Sequence, residues 1–299
     1  MPSFSCVVES NIKAGLRLDR YIAEFLQVLS RSQIKARNLE ARLNGLPVKV
    51  SRLLKGGEFL ELYWADAESP FLIPQDLPLN VVYEDKRVIV LNKAQGLVVH
   101  PGAGNKQGTL ANALLYRMLK KQGGDAEGLG LRPGIVHRLD KDTSGLIIAA
   151  WDEEAHAFLS QQFKARTVKK TYAALVYGCP KEKKGRIDKH IVRSPKNRKI
   201  FTVSDNKGRY AVTYYKLVRS YGNYSLVLLR PKTGRTHQLR VHMKYLGNPI
   251  LGDPLYGREL SGFKGLQLML HAKSLSLVLP DTGFKTFRTA LPGRFRLSI

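Results

Sequence analysis

The densest run of reactive side chains in the sequence is His137-Arg138-Leu139-Asp140-Lys141-Asp142-Thr143-Ser144-Gly145. Apolar residues 135–139 and 146–150 flank it and read as strands, so the polar run is a loop held on a rigid scaffold, where catalytic groups usually sit. Asp, Thr, Ser and Gly are ordinary turn formers, but a turn has no need of the His-Arg-Leu-Asp before them. A carboxylate among cations stays ionised. Such a group suits attack on, or stabilisation of, a sugar anomeric carbon, as in glycosidases. A second run, Arg230-Pro231-Lys232-Thr233-Gly234-Arg235-Thr236-His237-Gln238-Leu239-Arg240-Val241-His242, follows a strand over 225–229. Arg235, His237 and Arg240 are good donors to a phosphate or a carboxylate. A metal at His237 and His242 is disfavoured, because a five-residue offset does not stack on one helical face and no Cys or Glu is near. A third piece, Lys169-Lys170-Thr171-Tyr172, opens a strand, and a Tyr at a basic strand start suits base stacking.

Charge says what these groups meet. The 299 residues carry 49 Lys and Arg against 24 Asp and Glu, a formal net charge of +25 and a pI near 10.1. Residues 160–245 alone hold 22 cations and three acids, Glu182, Asp188 and Asp205. That excess points to a polyanion, either nucleic acid or an anionic membrane surface. Two cysteines, Cys6 and Cys179, exclude a disulfide framework and a Cys-based zinc module, and fit a reducing compartment. No apolar run approaches the ~18 residues of a membrane span. Residues 1–10 lack a basic region followed by an apolar block, so a cytoplasmic location is expected. Pro101-Gly102-Ala103-Gly104-Asn105 is not a P-loop, and Ser144 sits in no nucleophile elbow.

The elements that must position these groups fall into two parts. Leu18, Tyr21, Ile22, Phe25, Leu26 and Leu29 form the apolar stripe of one amphipathic helix. Ser30 or Ser32 caps a second helix holding Ile34 and Leu39, with Arg31, Lys35, Arg37 and Arg42 nearby. A turn at Leu43-Asn44-Gly45-Leu46-Pro47, a strand over 48–50, a turn at Lys55-Gly56-Gly57-Glu58 and a strand over 59–63 follow. Residues 66–78, with three prolines and three acids, read as a linker between residues 1–65 and 79–299. The glycine-rich stretch 120–132 reads as an exposed loop.

The larger part is strand-rich. Strands are expected at 81–83, 88–91, 97–99, 172–176, 210–217, 224–229 and 268–279, and helices at 109–119 and 155–164. Few helices among many strands indicate an α+β fold with a mixed, mainly antiparallel sheet.

Residues 1–65 resemble the S4 RNA-binding domain in Leu16-Arg17-Leu18-Asp19-Arg20-Tyr21, Ser30-Arg31-Ser32, Leu43-Asn44-Gly45 and Gly56-Gly57-Glu58, with Glu58 where the family usually has Asp. The run from Gly134 through His137-Arg138-Leu139-Asp140 to Leu146 resembles the signature of RluA-type pseudouridine synthases. So do Gly234-Arg235-Thr236-His237-Gln238-Leu239-Arg240-Val241-His242, Leu246-Gly247-Asn248-Pro249-Ile250-Leu251-Gly252-Asp253, Tyr256-Gly257, Tyr83-Glu84-Asp85, Asn92-Lys93 and Gly96-Leu97-Val98-Val99-His100-Pro101. Ala94 departs from the usual Pro, and the 123–131 loop is idiosyncratic.

The resemblance implies the pseudouridine synthase fold and isomerisation of uridine to pseudouridine in RNA, with no metal and no cofactor. It implies Asp140 as the catalytic aspartate, Tyr172 as the tyrosine packed on the uracil and a candidate to remove the C5 proton, and Arg240 as the partner of the aspartate. Arg138 would fill the gap left by the flipped nucleotide. Arg138, Arg235, His237, Lys93, Arg31, Lys35 and Arg42 are the expected RNA contacts. Flipping costs a few kcal/mol, which phosphate contacts of a basic surface can supply. The run from Val98 to Asn105, with an S4 domain in front, is most similar to enzymes of the large-subunit ribosomal RNA helix 69 loop, acting on rRNA or precursor particles as a monomer. The same chemistry at other large-subunit sites, a non-catalytic ribosome assembly factor and a base-excising glycosidase are the alternatives.

Overall fold

The computed structural model describes residues 2–12, 15–65, 72–102, 104–122, 133–195, 197, 199–257 and 265–296. The chain divides into two compact units, Met1–Phe71 and Leu72–Ile299.

The first unit is a four-stranded antiparallel sheet in the order β1-β4-β2-β3, formed by β1 (Ser3–Val7), β2 (Glu40–Leu43), β3 (Leu46–Val48) and β4 (Phe59–Tyr63). Two short helices pack with it, α1 (Leu18–Arg20), which runs into a π-helical turn (Tyr21–Phe25), and α2 (Arg31–Ala36). The single helix expected over residues 18–29 is therefore shorter. The Leu26 N–H reaches back to Tyr21 O at 3.0 Å, widening the turn, and Gln27 at φ 53° ends it. Leu18, Tyr21, Ile22 and Leu29 are still buried, while Phe25 is 60% exposed. Ser30 caps α2 in a capping box with Gln33. Asn44 and Gly45, at φ 51° and 80°, make the tight hairpin turn between β2 and β3. The strand expected at 48–50 lies instead at Leu46–Val48, and β1 and β2 were not anticipated.

The second unit is built on a ten-stranded sheet. Its strands are β5 (Val81–Glu84), β6 (Val88–Lys93), β7 (Ser144–Ala150), β8 (Lys169–Tyr177) and β9 (Lys184–Arg193). They continue as β10 (Phe201–Ser204), β11 (Arg209–Ser220), β12 (Tyr224–Pro231), β13 (Leu270–Leu279) and β14 (Gly283–Arg288). The order is β10-β9-β11-β12-β8-β13-β7-β6-β5, with β14 beside β13. Only β13 and β7 run parallel. The fold is α+β with a mainly antiparallel sheet.

Every residue of β7 is buried, because helices cover both faces. Ile147 and Ala149 pack against Leu110, Leu114 and Met118 of α3 (Leu110–Gln122), whereas Leu146, Ile148 and Ala150 pack against Ala155 and Leu159 of α4 (Glu153–Ala165). Burying each such aliphatic side chain contributes roughly 1.5–3 kcal/mol, which makes β7 a firm base for the loop that precedes it. α5 (Gln238–Tyr245) lies against β11, β9 and β10.

Two expected strands are absent. Residues 98 and 99 spend their carbonyls on α3, with Val98 O and Val99 O accepting from the Leu110 and Ala111 amides at 2.8 and 3.0 Å. Of residues 135–139, only Ile135 forms a bridge, to Ala149. Of the expected linker, residues 66–71 lie outside the described residues. Residues 73 and 75 instead hold α3, as Asn112 Nδ2 donates to Ile73 O at 2.8 Å and Gln75 N to Asn112 O at 3.1 Å. Of the expected 120–132 loop, residues 120–122 finish α3 and residues 123–132 lie outside the described residues.

Candidate active site

The loop between Ile135 and β7 is fixed from several sides. Gly145, at φ 112°, lies so close to β13 that a Cβ would come within 2.4 Å of Ala272 O, so only glycine lets β7 begin there. The Lys93 ammonium donates to Ala94 O and Leu97 O at 2.8 Å and to Lys141 O at 3.1 Å. Gln95 Nε2 bridges Asp142 O and Leu268 O at 2.9 and 3.0 Å. His137 Nε2 accepts from the Ile148 amide at 3.1 Å, and burial pushes its pKa down to about 3, as an acceptor ring requires. The Asp140 carbonyl closes a turn with the Thr143 amide at 3.1 Å.

These contacts present the Asp140 carboxylate to a cleft of about 470 Å³. Arg240 Nη1 faces Asp140 Oδ2 at 3.5 Å. The other side of the same guanidinium, Nε and Nη2, makes two 2.7 Å hydrogen bonds to Asp253. Asp253 is itself fully buried and also accepts from the Leu255 and Tyr256 amides at 2.9 and 3.0 Å. Burial works against the charge on Arg240, but the hydrogen bonds and charge of Asp253 outweigh it and raise its pKa.

His237 completes the arrangement, with Nε2 at 3.9 Å from Asp140 Oδ2. It sits at φ 54°, the left-handed entry to α5, which turns its ring into the cleft. Burial lowers its pKa against the pull of Asp140. Tyr256 OH accepts from the Phe201 amide at 2.9 Å, leaving its proton for His237 Nδ1, also at 2.9 Å. That assignment puts the proton of the neutral imidazole on Nε2, facing Asp140.

Tyr172 enters from β8, between Leu229 of β12 and Ala272 of β13. Burial, and secondarily the Asp140 charge, raise its phenol pKa, so the hydroxyl is protonated at neutral pH. Among the described residues, seven Lys or Arg and a single carboxylate, Asp140, line the cleft. Arg235 is crowded by like charge: burial first, then Arg166 and Arg209, lowers its pKa. An excess of cations of this kind favours an anionic ligand.

The structure brings together Asp140, Tyr172, Arg240, Arg138, Arg235 and His237. It removes Lys93 from the expected RNA face, since that side chain is 2% exposed and its ammonium is consumed by three carbonyls. Arg31, Lys35 and Arg42 belong to the first unit. Arg31 pairs with Asp19 at 3.0 Å and, with Lys35, borders a second cleft. Arg42 lies over the Tyr63 ring at 5.6 Å. Sequence reasoning gave no role to Asp253 or Tyr256. Their signal is the Gly-Asp and Tyr-Gly pairs after α5, each holding a residue of the second basic run.

Residues 87–245, which include β6, the Asp140 loop, β8 and α5, match the family model described as RNA pseudouridylate synthase. The chain belongs to that family. It is an RNA pseudouridine synthase, of the RluA type. It is 46% identical over 289 residues to Ribosomal large subunit pseudouridine synthase D of Borreliella burgdorferi, covering 94% of this chain and 88% of that one. It is 41% identical over 286 residues to the protein of the same name from Zymomonas mobilis, covering 90% and 88%. Among solved structures, Human RNA Pseudouridylate Synthase Domain Containing 4 superposes with a TM-score of 0.61 at 29% identity, over 72% of this chain and 90% of that one. For a pseudouridine synthase, a cleft lined by seven cations matches a polyanionic RNA substrate.

Proposed function

We propose that this synthase converts uridines of large-subunit ribosomal RNA, in the helix 69 loop, to pseudouridine, with Asp140 as nucleophile. The observation that carries the reading is Asp140 standing as the sole carboxylate among the described residues of a basic cleft, with Arg240 at 3.5 Å and Tyr172 also in its lining. The names of the relatives from Borreliella burgdorferi and Zymomonas mobilis favour the large-subunit substrate.

The target base leaves the RNA stack, and Arg138, exposed on the rim, occupies the space it leaves. Asp140 attacks C1′; the C1′–N1 bond breaks and uracil departs with the electron pair. Arg240 and His237 Nε2–H supply donors beside the reacting carboxylate. The uracil turns against the Tyr172 ring, and C5 takes the place of N1 at C1′ as Asp140 is released. The C5 proton then leaves for a base and N1 takes up a proton, so the product keeps the composition of uridine. Because its phenol is neutral, Tyr172 accepts that proton only while passing on its own.

The first unit, with Arg31, Lys35 and Arg42, serves as an S4-like RNA-binding domain that selects the site on rRNA or its precursor particle in the cytoplasm. The chain acts as a monomer.

The test is tritium release from C5-labelled uridine in unmodified large-subunit RNA. Wild type releases tritium; Asp140→Ala binds the RNA and releases none. Turnover by Asp140→Ala would remove Asp140 from the mechanism, and tritium release mapped outside helix 69 would change the assigned target.

A further inference from the structure

Thr213 of β11 turns its hydroxyl toward α5, bonding His242 Nδ1 at 2.9 Å and Gln238 Nε2 at 3.0 Å. Alternation along the strand therefore sends Tyr210, Val212, Tyr214 and Lys216 to the opposite face of the sheet. No helix is needed to explain their neighbours, because the strand register supplies them. Tyr214 is paired with Arg186 of β9 on one side and Arg230 of β12 on the other. In the next row Lys216 is paired with Lys184 and Leu228. Tyr210 is paired with His190, whose ring meets it edge-on at 5.5 Å, and Arg186 Nη2 donates to the Tyr210 hydroxyl at 3.2 Å. The one acid in these rows, Asp188, is taken up by Arg186.

Tyr210 and Tyr214 are 43% and 40% exposed, each among cations. Four residues along a strand place them about 13 Å apart, far enough to serve different bases. Exposed aromatic rings interleaved with Lys and Arg are the composition of a platform for unpaired nucleic acid, with bases on the rings and phosphates on the cations. This face also adjoins the cleft. Arg235, which lines the cleft, donates Nε to Tyr210 O at 3.1 Å, and Pro231 and Lys232, also in the lining, follow Arg230 directly.

We propose that the Tyr210–Tyr214 face of β11, with Arg186, Lys216 and Arg230, binds unpaired RNA that flanks the target uridine. This rests on the RNA-modifying reading of the cleft and adds to it a second contact surface on the same substrate. It makes affinity depend on RNA outside the flipped nucleotide, with no part in the chemical step.

The experiment compares wild type, Tyr214→Ala, Tyr214→Phe and Arg230→Gln on full-length unmodified large-subunit rRNA and on a short hairpin of the target loop alone. Affinity is measured over a range of salt, and tritium release with RNA saturated. Tyr214→Ala weakens binding to the long RNA by about tenfold, the scale of one lost base stack. Tyr214→Phe, which keeps the ring, binds as wild type. Arg230→Gln lowers the salt slope by about 0.7, one phosphate contact on a single strand. All variants match wild type on the hairpin and in rate at saturation, and circular dichroism melts verify their folding. Affinities within twofold of wild type on the long RNA for both Tyr214→Ala and Arg230→Gln would overturn the proposal. Failure of wild type to release tritium while these binding differences persist would instead overturn the site's assigned chemistry and leave the binding face standing.

Discussion

Arg240 divides its guanidinium between two carboxylates, giving Asp253 two hydrogen bonds of 2.7 Å and facing Asp140 across 3.5 Å. Asp253 thus fixes the plane of the group that faces Asp140. Removing the charge of Asp253 leaves Arg240, itself 5% exposed, without its anchor. Asp253→Asn is expected to lose isomerisation by on the order of 100-fold, the cost of misplacing a reacting group by about 1 Å, with RNA affinity kept. Asp253→Ala, which breaks a buried pair outright, is expected to lose about 3–5 kcal/mol of stability. Single-turnover rates and denaturant titration check the two effects. A full rate in Asp253→Asn would show that Asp140 does not depend on where Arg240 is held.

The Lys93 ammonium ties the Asp140 loop to the end of β6, and burial lowers its pKa to about 8. A lysine so placed is a structural cation and not a phosphate contact. Lys93→Met takes the donor from the Ala94 and Leu97 carbonyls, while Lys141 O keeps the Gly96 amide, and is expected to cost about 2 kcal/mol of stability. The salt dependence of RNA binding should not change. A slope reduced by about 0.7 would return Lys93 to the RNA face.

How far the sequence carried the structure depends on how polarity was distributed. Thr109–Leu119 and the apolar run before Trp151 were legible, because their buried sides are plain aliphatic. Strand β9 was missed, since Ile187 and Ile191 are its only buried residues and the polar Asp188, Lys189 and His190 occupy the positions between. Helix α5 was hidden for a different reason. Gln238, Arg240 and His242 are buried, so its inner side reads as polar until Thr213 and Asp253 are seen opposite it. The cleft residues were readable as clusters, Asp140 in one and Arg240 in another. Their 3.5 Å approach depends on the parallel placement of β7 beside β13, which no local pattern encodes.

Ser144 joins the start of β7 to the chain's last described turn. Arg294 Nη2 donates to Ser144 Oγ at 2.5 Å, and Ser144 bonds His271 Nδ1 at 2.9 Å. His271 Nε2 in turn meets Thr289 Oγ1 at 2.8 Å. The direction is set from the arginine, which only donates, so Ser144 gives its proton to a neutral His271 whose pKa burial and then Arg294 push down to about 4. Ser144→Ala breaks this chain two residues after Asp142. The expected cost is about 1–3 kcal/mol of stability, together with a slower isomerisation step and unchanged RNA affinity. A variant with wild-type stability would mean that the chain of bonds does not hold the loop.

His242 is fully buried, with Nδ1 on Thr213 Oγ1 and Nε2 without a partner among the described residues. Burial pushes its pKa down to about 4, against the weaker opposing pull of Asp188. The folded value is depressed below the ordinary 6.5, so between these values the unfolded chain binds the extra proton. Stability is therefore lost as pH falls from about 6.5, and the loss is complete below about 4. From pH 7 to pH 5 this residue alone is expected to remove about 2 kcal/mol. His242→Gln keeps a donor and an acceptor for Thr213 but cannot titrate, so its stability should fall less over that interval by the same amount. Denaturant titrations of both proteins at the two pH values measure the difference directly. Equal losses would mean that His242 takes up its proton without unfolding the α5–β11 contact.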